Sequence, residues 1–240
     1  MKIEVIFLVH DKLEDYFLNK NIVVIDVLRA TSTIITALAN GAKSIIPTPT
    51  VEEAVKNAKN LERDIYLLGG ERNTKIIDGF DLGNSPLEYS RDKVNGKKII
   101  FTSTNGTKVF EYLKHSKNVL IASTLNASAA VEKIKKLDSD WIFICAGRNG
   151  FFDSSDAIGA GLLISILSRQ TNKIELDDAG KISLLLYNEV KNNLSKNLKK
   201  TIHGTNLLAS GFEQDIEFIS QVDKFSINAS FTNNIIGLLE

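Results

Sequence analysis

The chain has 240 residues, 43% of them hydrophobic, and its 29 basic side chains balance 29 acidic ones. A neutral chain has no electrostatic reason to bind nucleic acid or an anionic membrane, and no apolar run approaches the roughly 20 residues of a membrane span. The single cysteine, Cys145, excludes internal disulfides and a cysteine-based zinc site, and the N-terminus lacks the features of a signal peptide. We therefore expect a cytoplasmic protein whose partner is neither nucleic acid nor a membrane.

Short apolar runs rich in valine and isoleucine alternate with helical patterns through most of the chain. Most of the runs are continuous, which indicates strands covered on both faces, as in parallel sheets. The predicted strands are 3–9, 22–26, 44–47, 65–68, 98–102, 118–122 and 141–145. The predicted helices are 32–40, 50–60, 106–114, 127–137 and 156–169. We predict an α/β protein with three α/β/α layers and a mostly parallel sheet.

The pattern is less regular from about residue 171. "KISLLLYNEVKNNLSKNLKKTIHG" predicts one helix with a basic outer face, and "FEQDIEFISQVDKFSINASF" predicts a helical turn and a short final strand. We treat 1–240 as one unit in which 171–240 is a C-terminal extension.

Two parts of the chain resemble each other. A shift of 76 positions superposes "DIYLLGGERN" on "DWIFICAGRN". The same shift places Thr31 opposite Thr107, Asp26 opposite Thr102 and Arg29 opposite Asn105. This indicates two similar βαβαβ halves, roughly 20–95 and 97–170, with the active site in the cleft between them. The alternative is that unrelated βα units share apolar runs and polar turns.

Five polar turns follow predicted strands: "VVIDVLRATST", "LLGGERN", "GFDLGNSPLEY", "FTSTNGTKVF" and "CAGRNGFFDSSDAIGAG". The carboxyl ends of parallel strands lie at one edge of a sheet, so we expect these turns to meet there. The glycine pair of the second turn, Gly69-Gly70, is expected to bend the backbone tightly.

The turns carry two kinds of chemistry. Arginines and neutral hydrogen-bond donors suit phosphate, sulfonate or carboxylate groups, whereas carboxylates are hard oxygen ligands that suit Mg²⁺. The arginines are Arg29, Arg72 and Arg148, and the donor positions are Thr31, Ser32, Asn84, Ser85, Thr104, Asn105, Gly106 and Thr107. The carboxylates are Asp26, Glu71, Asp81 and Asp156. A phosphorylated substrate needs both kinds of group.

Each feature also has a plainer interpretation. An aspartate at a strand end often caps a turn, Arg72 and Arg148 could pair with nearby carboxylates, and the hydroxyl-rich turn could be an ordinary helix start. Cys145 is interpreted as a core residue. Among the histidines, only His203, in "TIHGTN", is a candidate worth testing. The sequence contains no P-loop, GxGxxG, GxSxG or HExxH motif, which disfavours a nucleotide-dependent transferase.

Taken together and in order, "VVIDVLRATSTIITALANGA", "LLGGERN", "GFDLGNSPLEY", "TSTNGT" and "CAGRNGFFDSSDAIGAG" resemble the 2-phosphosulfolactate phosphatase (ComB) family. The resemblance runs from about residue 22 to 161, with a looser match at "HGTNLLASGFEQDIEFIS". One departure is Ser155-Asp156-Ala157, where family members commonly have Glu-Asp-Ala.

The resemblance implies an Mg²⁺-dependent phosphatase that converts (R)-2-phospho-3-sulfolactate, or a similar small dianionic phosphomonoester, into 3-sulfolactate and phosphate, a step toward coenzyme M. The implied catalytic positions are Asp26, Arg29, Glu71, Arg72 and Arg148. The metal would be held by Asp26, Glu71, Asp81 and Asp156. The partner is a small anionic phosphorylated substrate, and a homodimer is left open.

Two alternatives accompany this interpretation. In the first, Asp26 forms a covalent aspartyl-phosphate in place of direct attack by water. In the second, the protein is a non-catalytic sensor that binds a small phosphorylated metabolite. The surplus of carboxylates in the turns argues against a sensor, because a pure anion binder gains nothing from them.

Overall fold

The computed structural model describes residues 1–171 and 173–239. Within those residues eleven strands form one sheet. In chain order, β1 to β11 are Lys2–Ile6, Asn21–Ile25, Ser44–Pro47, Tyr66–Arg72, Lys75–Ile76, Lys98–Thr102, Asn118–Ala122, Trp141–Cys145, Glu175–Leu176, Ala229–Thr232 and Ile235–Leu238. The helices α1 to α10 are Ala30–Ala39, Val51–Ala58, Arg91–Val94, Gly106–Val109, Ala127–Leu137, Ser154–Gln170, Asp178–Val190, Leu194–Leu198, Ile202–Ala209 and Glu213–Ile219.

The sheet order is β5-β4-β6-β3-β11-β10-β7-β2-β8-β1-β9. All pairings among β1 to β4 and β6 to β9 are parallel, whereas β10 and β11 form an antiparallel hairpin between β3 and β7. This confirms the predicted α/β class and the mostly parallel sheet. The hairpin supplies the hydrogen bonds that join the two groups of parallel strands.

The strand order bears on the proposed duplication. β6 lies between β3 and β4, and β2 lies between β7 and β8. If β2–β4 and β6–β8 are the two halves, each half places its first strand between the second and third strands of the other. Such an exchange is what an intertwined duplication would produce; the common origin of the halves stays a prediction.

Alternate residues of the central strands pack against different helical layers. On β2, Ile22 and Val24 belong to an apolar core shared with α1 and α4, whereas Val23 and Ile25 belong to a second core shared with α5 and α6. All four side chains are fully buried. Burial on both faces explains why the strand reads as a continuous apolar run.

Several boundaries follow from pairing that the sequence pattern does not reveal. The strand predicted at 65–68 continues to Arg72, because Gly69 and Gly70 pair with Phe101 and Thr102 of β6. The predicted tight bend at the glycine pair was therefore wrong. A Cβ atom on Gly70 would lie 1.9 Å from the carbonyl oxygen of Thr102, so this close strand contact requires glycine.

The C-terminal extension contains more elements than predicted. The single helix expected over "KISLLLYNEVKNNLSKNLKKTIHG" is divided into α7, α8 and α9, with Thr201 capping α9 by accepting the amide hydrogen of Gly204. The expected final strand is β10, and it is paired with a further strand, β11. In the part of the chain that the structure describes, no helix combines the length and apolar character needed to cross a membrane.

Candidate active site

A polar cleft of about 350 Å³ lies where the turns after β4, β6 and β8 meet α9. Neutral hydrogen-bonding side chains dominate its walls, with one arginine and one histidine. The lining residues are Asn73, Thr74, Thr104, Asn105, Arg148, Asn149, His203, Asn206, Ala209 and Ser210. The cleft therefore suits an anionic ligand with several hydrogen-bond acceptors.

Two of the turns are joined directly at the cleft. The backbone amide of Asn149 donates to Oδ1 of Asn105 at 2.8 Å, which links the turn after β8 to the turn after β6. Asn149 has a φ of 52°, and Asn73, which aligned with it by the 76-residue shift, has a φ of 53°. The same local conformation thus follows Arg72 and Arg148.

Asp26 lies beneath the turn after β6 and is 5% exposed. Its Oδ1 accepts the amide hydrogen of Ala30 at 3.1 Å, and a Cβ atom on Gly106 would lie 2.5 Å from its Oδ2. Burial raises the pKa of Asp26 to about 6, against the opposing effects of His203 and of the Ala30 amide. In the part of the chain that the structure describes, the Ala30 amide is the only hydrogen-bond donor to this carboxylate.

Asp156 connects two of the turns through backbone amides. Its Oδ1 accepts from Val27 at 2.9 Å and its Oδ2 accepts from Gly147 at 3.0 Å. Burial, together with the charges of Asp26 and Asp153, raises the pKa of Asp156 well above its usual range. Asp156 thus joins the turns after β2 and β8 through both of its carboxylate oxygens.

Glu71 has a similar role on the other side of the cleft. Its Oε1 accepts from the amide of Thr104 at 2.8 Å and its Oε2 accepts from the amide of Thr74 at 2.9 Å. Asp81 instead accepts from the amide of Leu68 at 2.8 Å and pairs with the exposed Arg63.

The four predicted metal ligands are therefore not assembled as a set. Among residues 1–171 and 173–239, no group of three or more His, Cys, Asp or Glu side chains is arranged to hold a metal ion. The physical reason is that Glu71 and Asp156 use their oxygens to fix loop amides, while Asp81 is engaged by Arg63 outside the cleft.

Of the three predicted arginines, only Arg148 lines the cleft, and in the described residues its guanidinium has neither an ion pair nor a hydrogen bond. Arg72 is half-buried and donates to Oγ1 of Thr102 at 2.9 Å and to the carbonyl oxygen of Glu71 at 2.8 Å. Arg29 is buried in an ion pair of 2.7 Å with Asp215. The expectation that Arg29 faces a substrate anion is thus corrected, because it faces a carboxylate of its own chain.

Most of the predicted donor positions are used inside the protein. Thr31 and Ser32 are buried and donate to the carbonyl oxygens of Asp26 and Val27, each at 2.8 Å. Their hydroxyl groups stabilise the start of α1 and do not line the cleft, contrary to the expectation of substrate contact.

The loop before α3 also lies below the cleft surface. Ser85 donates to Asp215 at 2.6 Å, and the backbone oxygen of Asn84 accepts from Thr33 at 2.8 Å. Both residues are buried, so their predicted contact with substrate is not seen in this structure. Oδ1 of Asn84 is buried and has no partner among the described residues.

The turn after β6 divides into an inner and an outer part. Thr104 and Asn105 line the cleft, and Oγ1 of Thr104 is without a partner in the described part of the chain. Gly106 packs on Asp26, and Thr107 is buried, with its Oγ1 accepting from the amide of Ser103 at 3.1 Å. Only the outer pair, Thr104 and Asn105, is therefore placed for ligand contact.

The turns after β2 and β6 have the same internal hydrogen bonds. Thr31 Oγ1 accepts from the amide of Asp26 at 3.1 Å, as Thr107 Oγ1 does from the amide of Ser103. The structural counterpart of Asp26 is therefore Ser103, and the predicted counterpart, Thr102, was wrong by one position. The reason is that the turn after β6 is one residue shorter.

Sequence reasoning missed several cleft residues, notably Asn206 and Ser210 of the C-terminal extension. For His203, the sequence indicates only that it is the histidine worth testing. Its Nδ1 lies 3.1 Å from Oδ2 of Asp153, which is 4% exposed. Burial alone would raise the pKa of Asp153, but hydrogen bonds from His203 and Ser155 hold that pKa below its usual value. For the cleft residues Asn73 and Asn149, the repeated Arg-Asn pair was the sequence signal that could have identified them.

Comparisons with known proteins agree with the resemblance drawn from the motifs. The model of the 2-phosphosulpholactate phosphatase family matches residues 7–234. A protein of Caldanaerobacter subterraneus subsp. tengcongensis is 46% identical over 217 residues, which cover 90% of each chain. One of Thermotoga petrophila is 43% identical over 91% of this chain and 92% of its own. One of Clostridium acetobutylicum is 39% identical over 98% of this chain and 100% of its own.

All three relatives carry the name probable 2-phosphosulfolactate phosphatase, and the matches extend over nearly the whole chain, including the C-terminal extension that contributes His203 to the cleft. This chain therefore belongs to the 2-phosphosulfolactate phosphatase family, whose named activity is that of a phosphoric monoester hydrolase.

Proposed function

We propose that this protein is a phosphatase that hydrolyses (R)-2-phospho-3-sulfolactate, or a similar small dianionic phosphomonoester, to the hydroxy acid and phosphate, with Mg²⁺ as cofactor and as a step toward coenzyme M. Family membership supports the reaction class. The observation that carries the proposal is Arg148, which lines the cleft without an ion-pair partner in the described residues. A half-buried guanidinium without a carboxylate gains stability from an anionic ligand.

The neutral donors around Arg148 fit the rest of such a substrate. Asn73, Asn149 and Asn206 carry side-chain amides, and Thr104 carries a hydroxyl group with no partner in the described chain. Phosphate, sulfonate and carboxylate groups all accept hydrogen bonds from donors of this kind. A substrate with a second anionic group would therefore use the amide-rich walls as well as the arginine.

The carboxylates around the cleft suit a magnesium ion that is bound by only one or two protein side chains. Mg²⁺ is commonly bound by one or two carboxylates, with water and substrate phosphate completing its coordination. Asp26 fits this role, because it is buried and only one of its oxygens accepts a hydrogen bond in the described structure. When bound, the ion would neutralise charge on the phosphoryl oxygens.

The remaining residues would act on the substrate by position and charge. Arg148 would hold an anionic group of the substrate, and Arg72 would contribute positive charge behind the turn that carries Thr104. Glu71 and Asp156 would keep the surrounding turns in place through the amides that they accept. Orientation of a bound phosphoester by such fixed groups is a major part of catalysis of phosphoryl transfer.

The test is a phosphate-release screen over phosphorylated hydroxy acids with and without Mg²⁺. We expect release from 2-phospho-3-sulfolactate that depends on Mg²⁺, and much less from 2-phospholactate, which lacks the sulfonate. Thermal stabilisation by the esters without phosphate release would instead support a binding or sensor protein. Equal rates on both esters would contradict recognition of the sulfonate.

A further inference from the structure

His203 combines a fixed ring with access to the cleft. It lies on α9, whose first turn is capped by Thr201 two residues earlier, and its side chain is 16% exposed. Nδ1 lies 3.1 Å from Oδ2 of Asp153. Asp153 is in turn fixed at the start of α6, where its Oδ1 accepts from the amide of Ser155 at 2.8 Å and from its hydroxyl at 2.5 Å. The imidazole is thus oriented by a buried carboxylate that is itself immobilised.

The hydrogen bond to Asp153 determines which ring nitrogen remains available. With Nδ1–H donated to the carboxylate, Nε2 is the nitrogen left for a ligand, and it has no hydrogen-bond partner among residues 1–171 and 173–239. His203 and Arg148 line the same cleft, so an anion held by the arginine lies within the space that the imidazole borders.

We propose that His203 is the catalytic general acid of this cleft, donating a proton from Nε2 to the bridging ester oxygen of the substrate, and that Asp153 is its positioning residue. The inference rests on the proposed phosphatase function. It assigns a reacting group to the C-terminal extension, which the sequence motifs left without a role.

The proposed step forms one P–O bond and breaks another. Water attacks phosphorus and forms a new P–O bond, while the P–O ester bond breaks with its electron pair on the bridging oxygen. That oxygen takes the proton from Nε2 and leaves as the alcohol of the hydroxy acid. The dihydrogen phosphate formed returns one proton to the imidazole, so His203 is regenerated and no further reactant is consumed.

Proton donation is useful here because the leaving group is an alkoxide. An alkoxide is a poor leaving group, and a placed general acid contributes about 10²–10⁴-fold to such a step. A thiolate is a far weaker base and needs no proton to leave. Replacement of the bridging oxygen by sulfur therefore removes the need for the acid without changing the rest of the substrate.

The experiment compares the full-length protein and the His203→Gln variant on the oxygen ester and on its analogue with a bridging sulfur, in the presence of Mg²⁺. We expect the variant to lose about 10²–10³-fold in kcat on the oxygen ester and less than about 10-fold on the sulfur analogue. His115→Gln, a substitution of an exposed histidine, is the matched control and should change neither rate.

Asp153→Asn provides a second variant. Asparagine still caps α6, so a purely structural loss is small and would lower both rates equally, whereas a weakened orientation of His203 lowers the oxygen-ester rate selectively. Equal losses on the two substrates in both variants would overturn the role of His203 while leaving the phosphatase function intact. If the unmodified protein releases phosphate from neither compound, the proposed function fails, and the role of His203 fails with it.

Discussion

Arg29 and Asp215 are 186 positions apart and form an ion pair of 2.7 Å in which the two side chains are 2% and 3% exposed. The Arg29 guanidinium also stacks on the ring of Phe212 at 4.2 Å, and the other oxygen of Asp215 accepts from Ser85. The pair fastens α10 to the turn after β2. The C-terminal extension is therefore built into the framework of the cleft.

Replacement of one member of this ion pair should strongly lower the free energy of unfolding. We expect Asp215→Asn to lower the free energy of unfolding by about 3–5 kcal/mol, because Arg29 is left as a buried charge without a counter-ion. Urea unfolding followed by circular dichroism measures the change. Glu111→Gln, which removes an exposed ion pair with Lys114, is the control and should have little effect. Equal stabilities of Asp215→Asn and the unmodified protein would show that the pair contributes nothing.

We expect the Asp26 carboxylate to lower the stability of the folded protein near neutral pH and to be needed for activity. Burial raises its pKa in the folded state from 3.8 to about 6, so between these values the folded protein holds a proton that the unfolded chain has lost. Stability due to this group is complete below about pH 4 and is lost as the pH rises to about 6. We expect Asp26→Asn to flatten this part of the pH–stability profile and to raise stability at pH 7 by about 1–3 kcal/mol.

The same substitution should abolish most phosphate release, lowering kcat by several orders of magnitude at any Mg²⁺ concentration. Unfolding curves between pH 4 and 7 and phosphate-release assays on the same preparations measure both effects. Unchanged activity of Asp26→Asn across Mg²⁺ concentrations would remove Asp26 from the proposed metal site. A pH–stability profile identical to that of the unmodified protein would contradict the raised pKa.

Gly106 should be required for the contact between two turns. A Cβ atom there would lie 2.5 Å from Oδ2 of Asp26 and 2.7 Å from Cβ of Ala30. We expect Gly106→Ala to cost about 1–3 kcal/mol of stability and to lower activity, because the turn after β6 must move away from Asp26. Gly237→Ala is the control, since a Cβ there has no neighbour within 4 Å. Similar unfolding midpoints for the two variants would refute this account.

Arg148 should contribute to substrate affinity. We expect Arg148→Gln to lower kcat/KM by about 10–100-fold, mainly through KM, which corresponds to the loss of a charge-assisted hydrogen bond. Steady-state kinetics on the phosphoester measure the effect. Arg63→Gln is the control, because Arg63 is exposed and pairs with Asp81 outside the cleft. An unchanged KM in Arg148→Gln would place the substrate anion elsewhere.

Much of the fold was accessible from local pattern. The predicted strands at 44–47, 98–102, 118–122 and 141–145 coincide with β3, β6, β7 and β8, because strands buried on both faces appear as continuous apolar runs. The ends of β4 and the division of α7 to α9 were not accessible, since they depend on strand pairing and on caps that form only against neighbouring elements.

The site was predictable in kind but only partly in detail. The sequence pattern predicted that Thr104, Asn105 and Arg148 lie at one sheet edge, and the structure places all three on the cleft. It could not show that Arg29 pairs with Asp215 or that Thr31 donates to Asp26, because a polar side chain at a strand end can face a ligand or its own chain.

By itself, the amino-acid sequence determined the α/β class, the polar turns at the carboxyl ends of the strands and the family, because these depend on residue type and order along the chain. Only the tertiary structure decided which polar groups reach the cleft. Thr31, Ser32 and Glu71 form hydrogen bonds inside the protein, and these bonds occupy groups that could otherwise bind a ligand. The packing of α9 over the sheet edge, in contrast, brings His203 from the distant end of the chain to the cleft.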